Sequence, residues 1–157
     1  MHLLLQLLCW FSLAALVYIY AGYPLLVWML GRWRGHTVQR APISACVSVI
    51  LVVHNEAGQI RRKLNSLLAM DRTDQIIEIL VGSDGSTDDA AHLVQTYADP
   101  RVRWMPYAER RGKPSVINDL VPLAQGDIIL LTDVRQDFAP DFLMATLPNF
   151  ADARVGV

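Results

Sequence analysis

Three carboxylates follow apolar runs that are typical of buried strands. Glu56 follows CVSVILVV (Cys46 to Val53), Asp84 ends IIEILVGSD, and Asp133 follows DIILLT. Because ligands of parallel α/β sheets bind beyond the carboxyl ends of the strands, we expect these carboxylates to meet at one edge of a sheet. Together they could bind an anionic ligand through a bridging metal ion. Asp84 is equally typical of an Asp-Gly turn, so both interpretations of this residue stay open.

Basic residues precede a predicted helix. The segment ERRGK (109–113) comes directly before apolar residues that keep helical spacing from Ile117 to Ala124. A helix N-terminus favours anions, and arginine or lysine beside it suits phosphate oxygens. The segment is not a Walker A loop, because Tyr107 and Pro114 occupy positions where that motif needs glycine and serine or threonine. A solvated basic turn is the alternative.

Apolar periodicity predicts the elements that position these groups. Strands are expected over residues 46–53, 76–82, 102–105 and 127–132, with amphipathic helices after the first three. The first strand, helix and second strand form a right-handed βαβ unit by the usual handedness rule. We therefore predict an α/β fold with a mostly parallel, Rossmann-like sheet. Arg61, Arg62 and Lys63 are expected on the solvated face of the first of these helices, and His54 as a hydrogen-bonded histidine at the edge of the core.

The N-terminus predicts a transmembrane helix. No charged side chain occurs from Leu3 to Leu30, a run longer than the ~20 residues that cross a hydrocarbon core. Gly22 and Pro24 could kink the span or end it near residue 23. A cleaved signal peptide is disfavoured, because no basic residue precedes an apolar run that is also too long. Basic residues follow the span, which predicts an outside N-terminus and a cytoplasmic remainder at the inner (plasma) membrane.

Composition excludes some functions. The chain of 157 residues has a formal net charge of −1, which provides no basic surface for nucleic acid. Cys9 and Cys46 have no metal-binding spacing and give no case for a disulfide, so both are expected to be buried free thiols. Residues 1–40 are predicted to be a membrane anchor with its linker, and residues 41–157 a separate α/β domain.

The motifs resemble those of a known family. The series VSVILVVHNE, EILVGSDGSTD, RGKPSVIN and GDIILLTDVRQDFAP is similar in order and spacing to the nucleotide-binding half of family 2 glycosyltransferases with the GT-A fold. The similarity covers about residues 45–157. With the preceding span, the chain resembles membrane-bound bacterial synthases of cellulose-like or poly-N-acetylglucosamine polysaccharides. The resemblance implies an inverting transferase for cell-envelope polysaccharide, with a nucleoside-diphosphate sugar, most often a UDP-sugar, as donor.

The resemblance also implies roles for individual residues. Donor-binding positions are expected at His54, Asn55 and Glu56 in the nucleotide pocket, Asp84 at the base or ribose, and Lys113 and Asn118 near the diphosphate. Asp133 matches the first acid of the family's DxD motif, which binds the diphosphate and a divalent metal, Mg²⁺ or Mn²⁺. A departing diphosphate gains negative charge, so a metal ion or a guanidinium is needed to stabilise it.

Two positions depart from the family's pattern. Ser83 replaces the first of two acids that commonly precede GST, and Arg135 replaces the second acid of DxD. Either Asp133 alone holds the metal, or Arg135 itself binds the diphosphate, or Arg135 forms a surface ion pair with Asp137. Retained but weaker metal dependence is the favoured interpretation, and Arg135 is counted among the donor-binding residues.

The residues favour one reaction over two alternatives. The favoured function is transfer of a sugar to a glycan or lipid acceptor at the cytoplasmic membrane face; the alternative is a catalytically inert, membrane-anchored nucleotide-sugar-binding module. A sugar nucleotidyltransferase is disfavoured, because HNEAGQI is not a glycine-rich basic loop. No acceptor-side base is recognisable, and residues 154–157 look like the start of another strand. We therefore expect a fragment of a longer protein that is inactive by itself.

Overall fold

The N-terminal unit is a long apolar helix. The computed structural model describes residues 2–156 and divides into two compact units, residues 1–38 and 39–157. In the first unit, α1 (His2–Val17) and α2 (Tyr23–Arg34) are joined by a π-helical turn, Tyr18–Gly22. An 18-residue window within the helix His2–Arg34 has a mean hydropathy of 2.0, and the helix is long and apolar enough to cross a membrane.

The helix does not end near residue 23, which the sequence left open. The π-helical turn ends at Gly22, two residues before Pro24, which has no N–H to donate to the preceding turn. Within that wider turn, the N–H of Tyr23 donates to the carbonyl of Tyr18. A π-helical turn accommodates such an irregularity without stopping the helix. Helical residues therefore continue to Arg34.

The second unit is an α/β layer structure with four parallel strands in the order β3-β2-β1-β4. The strands are β1 (Val47–Val53), β2 (Ile76–Asp84), β3 (Val102–Tyr107) and β4 (Ile128–Thr132). The helices are α3 (Ala57–Leu68), α4 (Ala90–Gln95), α5 (Lys113–Leu120) and α6 (Phe142–Thr146), with short 3₁₀ segments at Thr73–Gln75, Val121–Leu123 and Leu147–Ala151. The predicted fold class is confirmed.

The two central strands are covered on both faces. Every residue of β1 is buried, and β2 is buried at all positions except Ile77. One face of the sheet packs on Ile60, Leu64 and Leu67 of α3, and the other packs on α5 through Val116 and Leu120. Burial on both faces explains why β1 and β2 are continuous apolar runs without alternation. Their carboxyl ends are consequently fixed by the best-packed part of the domain.

Lys63 is not on a solvated face, so that part of the prediction is wrong. Its side chain is 1% exposed, whereas Arg61 and Arg62 are exposed as expected. The Lys63 ammonium donates to the carbonyl of Gln136 and lies 4.3 Å from the centre of the Phe138 ring. Burial lowers its pKa, opposed by the nearby carboxylates of Asp137 and Asp133. Lys63 thus anchors the segment after β4 to α3, a tertiary contact that helical periodicity cannot reveal.

Two further predictions are wrong. Cys9 and Cys46 are both exposed, because Cys9 lies on the unpacked apolar helix and Cys46 precedes the first buried residue of β1. Residues 154–156 form no strand, and residue 157 lies outside the described residues. Instead Asp152 accepts hydrogen bonds from both the backbone and the guanidinium of Arg154, which closes a turn there.

A buried carboxylate ties the middle strands together. Glu78 on β2 accepts hydrogen bonds from Ser48 Oγ on β1 at 2.7 Å, from the N–H of Gln125 at 2.7 Å and from Arg103 on β3 at 3.0 Å. Ser48 Oγ in turn accepts the N–H of Gly126, just before β4. Burial opposes ionisation of Glu78, but these donors together hold its pKa below the ordinary value. The network therefore connects all four strands.

Glu78→Ala is expected to lower the free energy of unfolding by about 2–3 kcal/mol, because it leaves buried donors without an acceptor. The pKa of Glu78 is lower in the folded state, so its stabilisation is present above the ordinary glutamate value and is lost as the pH falls through the folded pKa. Urea unfolding of the detergent-solubilised protein measures both effects. Arg103→Ala is the control, since Arg103 is half-exposed and should cost under about 1 kcal/mol. Equal losses for the two variants would contradict this account.

Candidate functional site

A polar cavity of about 370 Å³ lies at the carboxyl ends of β1 and β2. Its lining residues are Val52, Val53, His54, Glu56, Asp84, Arg110, Gly112, Lys113 and Arg135. The fold thus brings together five residues that the sequence singled out, from four different loops or strand ends. Arg110 and Gly112 join them, although only the basic character of their segment had been noted. This is the edge where ligands of parallel α/β sheets bind.

The loop after β1 is fastened to the loop after β2. Asn55 adopts a left-handed backbone conformation with φ of 53°, which asparagine tolerates better than most residues. Its side-chain oxygen accepts the N–H of Thr87 at 2.8 Å, and its own N–H donates to Ser86 Oγ. Asp88 accepts the N–H of Ala57 at 2.7 Å and so provides an acceptor for the first N–H of α3. Asn55 therefore shapes the wall of the cavity without lining it.

Asp84 holds the basic loop in place. Its buried carboxylate accepts the N–H of Arg111 at 2.6 Å and the N–H of Gly112 at 3.0 Å. The next residue, Gly85, has φ of 64°, and a Cβ there would lie 2.7 Å from the backbone nitrogen of Arg110. Only glycine permits so close an approach at that conformation. The DG pair is thus a docking point for residues 110–112, which is more than the simple turn considered from the sequence.

The His54 side chain is oriented by one short hydrogen bond. Its Nδ1 lies 2.6 Å from the carbonyl oxygen of Asp84, an acceptor, so Nδ1 carries the proton. In the neutral ring Nε2 is then an acceptor. His54 lines the cavity with this orientation fixed. The histidine is therefore both satisfied at the edge of the core and present in the candidate site.

Two ion pairs border the cavity. Arg135 Nε donates to Glu56 Oε1 at 3.1 Å, and Lys113 Nζ lies 3.0 Å from Asp133 Oδ2. Asp137 pairs instead with Arg62, so the surface pair between Arg135 and Asp137 considered from the sequence does not form. Lys113 and Arg135 are therefore each paired with a carboxylate, while Arg110 adds a further cation to the lining of the cavity.

Asp133 provides a single carboxylate that is suitable as a metal ligand. Hydrogen bonds from the N–H of Arg135 and from Lys113 hold its pKa below the ordinary value, so the carboxylate is ionised at neutral pH. Among residues 2–156, no cluster of three or more histidine, cysteine or acidic side chains is arranged to hold a metal. Magnesium commonly takes one or two protein carboxylates and completes its shell with phosphate oxygens and water. Asp133 does not itself line the cavity, but its carboxylate is paired with the lining residue Lys113 and fits that donor set.

Asn118 does not line the cavity and is exposed on α5. A larger cavity of about 480 Å³ lies elsewhere, between α3 and the segment after α4, lined by Arg61, Asn65, Leu68 and residues 96–100. It contains none of the donor-binding or metal-binding residues predicted from the sequence and lies away from the strand ends. The strand-end cavity is therefore the better candidate site.

The sequence matches a known protein family. The profile described as "Glycosyl transferase family 2" matches residues 48–157, more than half of the chain. The chain belongs to glycosyltransferase family 2. A relative in this family, a beta-monoglucosyldiacylglycerol synthase from a Nostoc species, is 28% identical over 114 residues, which cover 70% of this chain and 24% of that protein. The chain thus spans about a quarter of that relative's length.

Two solved structures share the fold of this chain. The mannosyltransferase PcManGT from Pyrobaculum calidifontis, determined with GDP-Man and Mn²⁺, has a TM-score of 0.73 and 31% identity over 91% of this chain and 44% of its own. The S. aureus protein TarS, residues 1–349 with UDP, has a TM-score of 0.59 and 25% identity over 65% of this chain and 31% of its own. The four-stranded parallel sheet accordingly matches the Rossmann-like part of the GT-A fold.

Proposed function

We propose that the full-length protein transfers a sugar, with inversion, from a nucleoside-diphosphate sugar to a glycan or lipid acceptor. The observation that carries this proposal is the cavity at the ends of β1 and β2, where Arg110, Lys113 and Arg135 face the same space. Three cations in one cavity suit the oxygens of a diphosphate better than any neutral ligand. The complexes of PcManGT with GDP-Man and of TarS with UDP support this choice of donor.

The proposed roles follow from position. The base and ribose would occupy the part of the cavity beside His54 and Asp84, with Glu56 at its edge. The diphosphate would lie against Lys113 and Arg135, while Asn55 supports the wall and Asn118 contributes from outside the present cavity. A UDP-sugar is the favoured donor. Residues 41–157 would form the donor-binding domain.

A divalent metal, Mg²⁺ or Mn²⁺, would be held by Asp133 together with the diphosphate oxygens. When bound, the ion would neutralise the charge that develops on the leaving diphosphate. Asp133 would keep this position because the N–H of Arg135 fixes one of its oxygens. Lys113 would move from Asp133 toward the phosphates, as their charge exceeds that of one carboxylate.

The membrane location rests on the apolar helix His2–Arg34. Residues 1–40 would form the anchor and linker, with the N-terminus outside, the donor-binding part in the cytoplasm and the product in the cell envelope. Arg32, Arg34 and Arg40 follow the span, as the positive-inside rule requires. Nucleoside-diphosphate sugars would then reach the cavity from the cytoplasm.

Exposed Cys46 provides a test of this topology. In a Cys9→Ser background, Cys46 should react with a membrane-impermeant maleimide only after cells are permeabilised. The reporter Leu3→Cys, placed in the same background without Cys46, should react in intact cells. Labelling of Cys46 in intact cells would show the reverse orientation, and recovery of a shortened mature chain would show a cleaved leader.

Transfer itself is tested with membranes that contain the full-length protein. Radiolabelled UDP- and GDP-sugars should label an acceptor, extracted either as lipid or as polymer, and labelling should stop when excess unlabelled nucleoside diphosphate is added. An inert nucleotide-sugar-binding module is the second candidate, favoured by Arg135 in place of the second DxD acid. It would bind the nucleotide sugar with no transfer to either fraction.

A further inference from the structure

Arg135 stands where the family pattern has a metal-binding carboxylate, and its surroundings show how a guanidinium is accommodated there. Its Nε donates to Glu56 Oε1 at 3.1 Å. The Glu56 side chain is 16% exposed, whereas that of Arg135 is 73% exposed. Glu56 is therefore the fixed member of the pair, and Arg135 extends from it into the open cavity that both residues line.

The guanidinium of Arg135 has N–H groups that its bond to Glu56 does not use. Within residues 2–156, its Nε is the guanidinium nitrogen with a hydrogen-bond partner, while Nη1 and Nη2 have none. A guanidinium presents its N–H groups in a planar fork that matches the oxygens of a phosphate. The pair with Glu56 uses Nε and leaves the two Nη groups for a ligand of the cavity that Arg135 lines. Arg135 is thus held by Glu56 through Nε, and its Nη groups are available to a ligand.

The neighbouring charges favour a polyanion at this position. Asp133 is already engaged by Lys113 at 3.0 Å and by the N–H of Arg135 at 3.1 Å. Its negative charge is therefore largely compensated before any metal arrives. Arg110 lines the same cavity and adds a further positive charge. A diphosphate that draws Lys113 away from Asp133 would meet three cations in this cavity, Arg110, Lys113 and Arg135.

We propose that Arg135, positioned by Glu56, binds the diphosphate of the donor and supplies part of the positive charge that a second metal-binding carboxylate would otherwise recruit. The inference rests on the proposed function. It assigns Glu56 as a positioning residue, and it gives the site a donor affinity that depends only weakly on the divalent ion. Charge-assisted bonds from a pre-oriented guanidinium are strong enough for this role.

Calorimetric titration of the full-length, detergent-solubilised protein with UDP and with GDP tests the proposal, each in Mn²⁺ and in excess EDTA. For whichever nucleotide binds, the wild-type Kd in EDTA should be no more than about tenfold above that in Mn²⁺. Arg135→Gln should raise the Kd in EDTA by about 10- to 100-fold and the Kd in Mn²⁺ much less. Arg135→Asp should make binding strongly metal-dependent. Arg62→Gln is the matched control, an exposed arginine paired with Asp137 outside the cavity, and should change neither value.

A double-mutant cycle tests the positioning role. Glu56→Ala should raise the Kd in EDTA by about fivefold or more when Arg135 is present and by less than about twofold in the Arg135→Gln background. Glu56→Gln keeps an acceptor for Nε and should preserve binding. The corresponding nucleoside, which lacks the diphosphate, should bind wild type and Arg135→Gln equally well.

Four results would overturn the inference. The first is a wild-type Kd that rises by more than about 100-fold in EDTA, and the second is an unchanged Kd for Arg135→Gln. The third is an equal effect of Glu56→Ala with and without Arg135. The fourth is that Arg135→Gln weakens binding of the nucleoside as much as binding of the nucleoside diphosphate. If neither nucleotide binds even with Mn²⁺, the proposed function fails together with the inference. If binding occurs but requires the metal, the inference alone fails.

Discussion

Asp133→Ala is expected to reduce sugar transfer by the full-length protein on the order of 10³-fold, because it removes the carboxylate that would hold the metal and that orients Lys113. Transfer of radiolabelled sugar to acceptor in membranes measures the effect. The variant should also lose any stimulation by added Mn²⁺. The fold should be unaffected, since the Asp133 side chain is 40% exposed.

Asp137→Ala is the control for this change. Asp137 lies in the same segment after β4, but it is exposed and pairs with Arg62 away from the cavity. Its loss should leave transfer within about twofold of wild type, as exposed ion pairs contribute little. Transfer by Asp133→Ala at a rate near that of Asp137→Ala would exclude Asp133 from the reaction. Undiminished wild-type transfer in excess chelator would instead exclude the metal and leave Arg135 to stabilise the diphosphate.

Asp84→Ala is expected to weaken nucleoside diphosphate binding by about 10- to 100-fold. The carboxylate accepts the N–H groups of Arg111 and Gly112, so its removal releases the loop that carries Arg110 and Lys113. A direct bond to the base or ribose, if the donor makes one, would be lost as well. Calorimetric titration with the nucleoside diphosphate and with the nucleoside separates these effects, because only the diphosphate contacts depend on the loop.

Asp119→Ala is the matched control for Asp84. Asp119 also bonds to Arg111, but through the guanidinium and at an exposed position. Its removal should change the Kd by less than about threefold. An unchanged Kd for Asp84→Ala would return Asp84 to a simple turn residue. If Asp84→Ala greatly weakens binding of the nucleoside, which lacks the diphosphate, direct contact of Asp84 with the base or ribose is favoured.

Much of the fold is predictable because its central strands consist mostly of apolar residues. The runs over β1 and β2 are largely apolar and end in polar residues, a pattern typical of sheet strands buried on both faces. The run over β4 is apolar as well, although Ile129 and Leu131 of this edge strand are exposed. Parallel order then follows from helices that alternate with strands. The convergence of Glu56 and Asp84 on one cavity could be expected because strand ends share an edge. The third carboxylate predicted to join them, Asp133, is not among the residues that line the cavity.

Contacts between loops were not predictable, because they join residues far apart in sequence. Arg135 and Glu56 are separated by 79 positions, and nothing local favours that pair over the alternative with Asp137. The docking of residues 111 and 112 on Asp84 likewise depends on backbone N–H groups, which have no sequence signature. Lys63 was misplaced because a long side chain can be buried when an aromatic ring and a carbonyl receive its ammonium.

A structure of the full-length protein with bound nucleoside diphosphate, UDP or GDP, and Mn²⁺ tests the central claim most directly. We expect the diphosphate in the cavity at the ends of β1 and β2, within hydrogen-bonding distance of Lys113 and Arg135, with Arg135 still bonded to Glu56. Nucleotide bound instead in the larger cavity beside Arg61 and Tyr97, or bound with Lys113 still paired to Asp133 and remote from phosphate, would contradict the account.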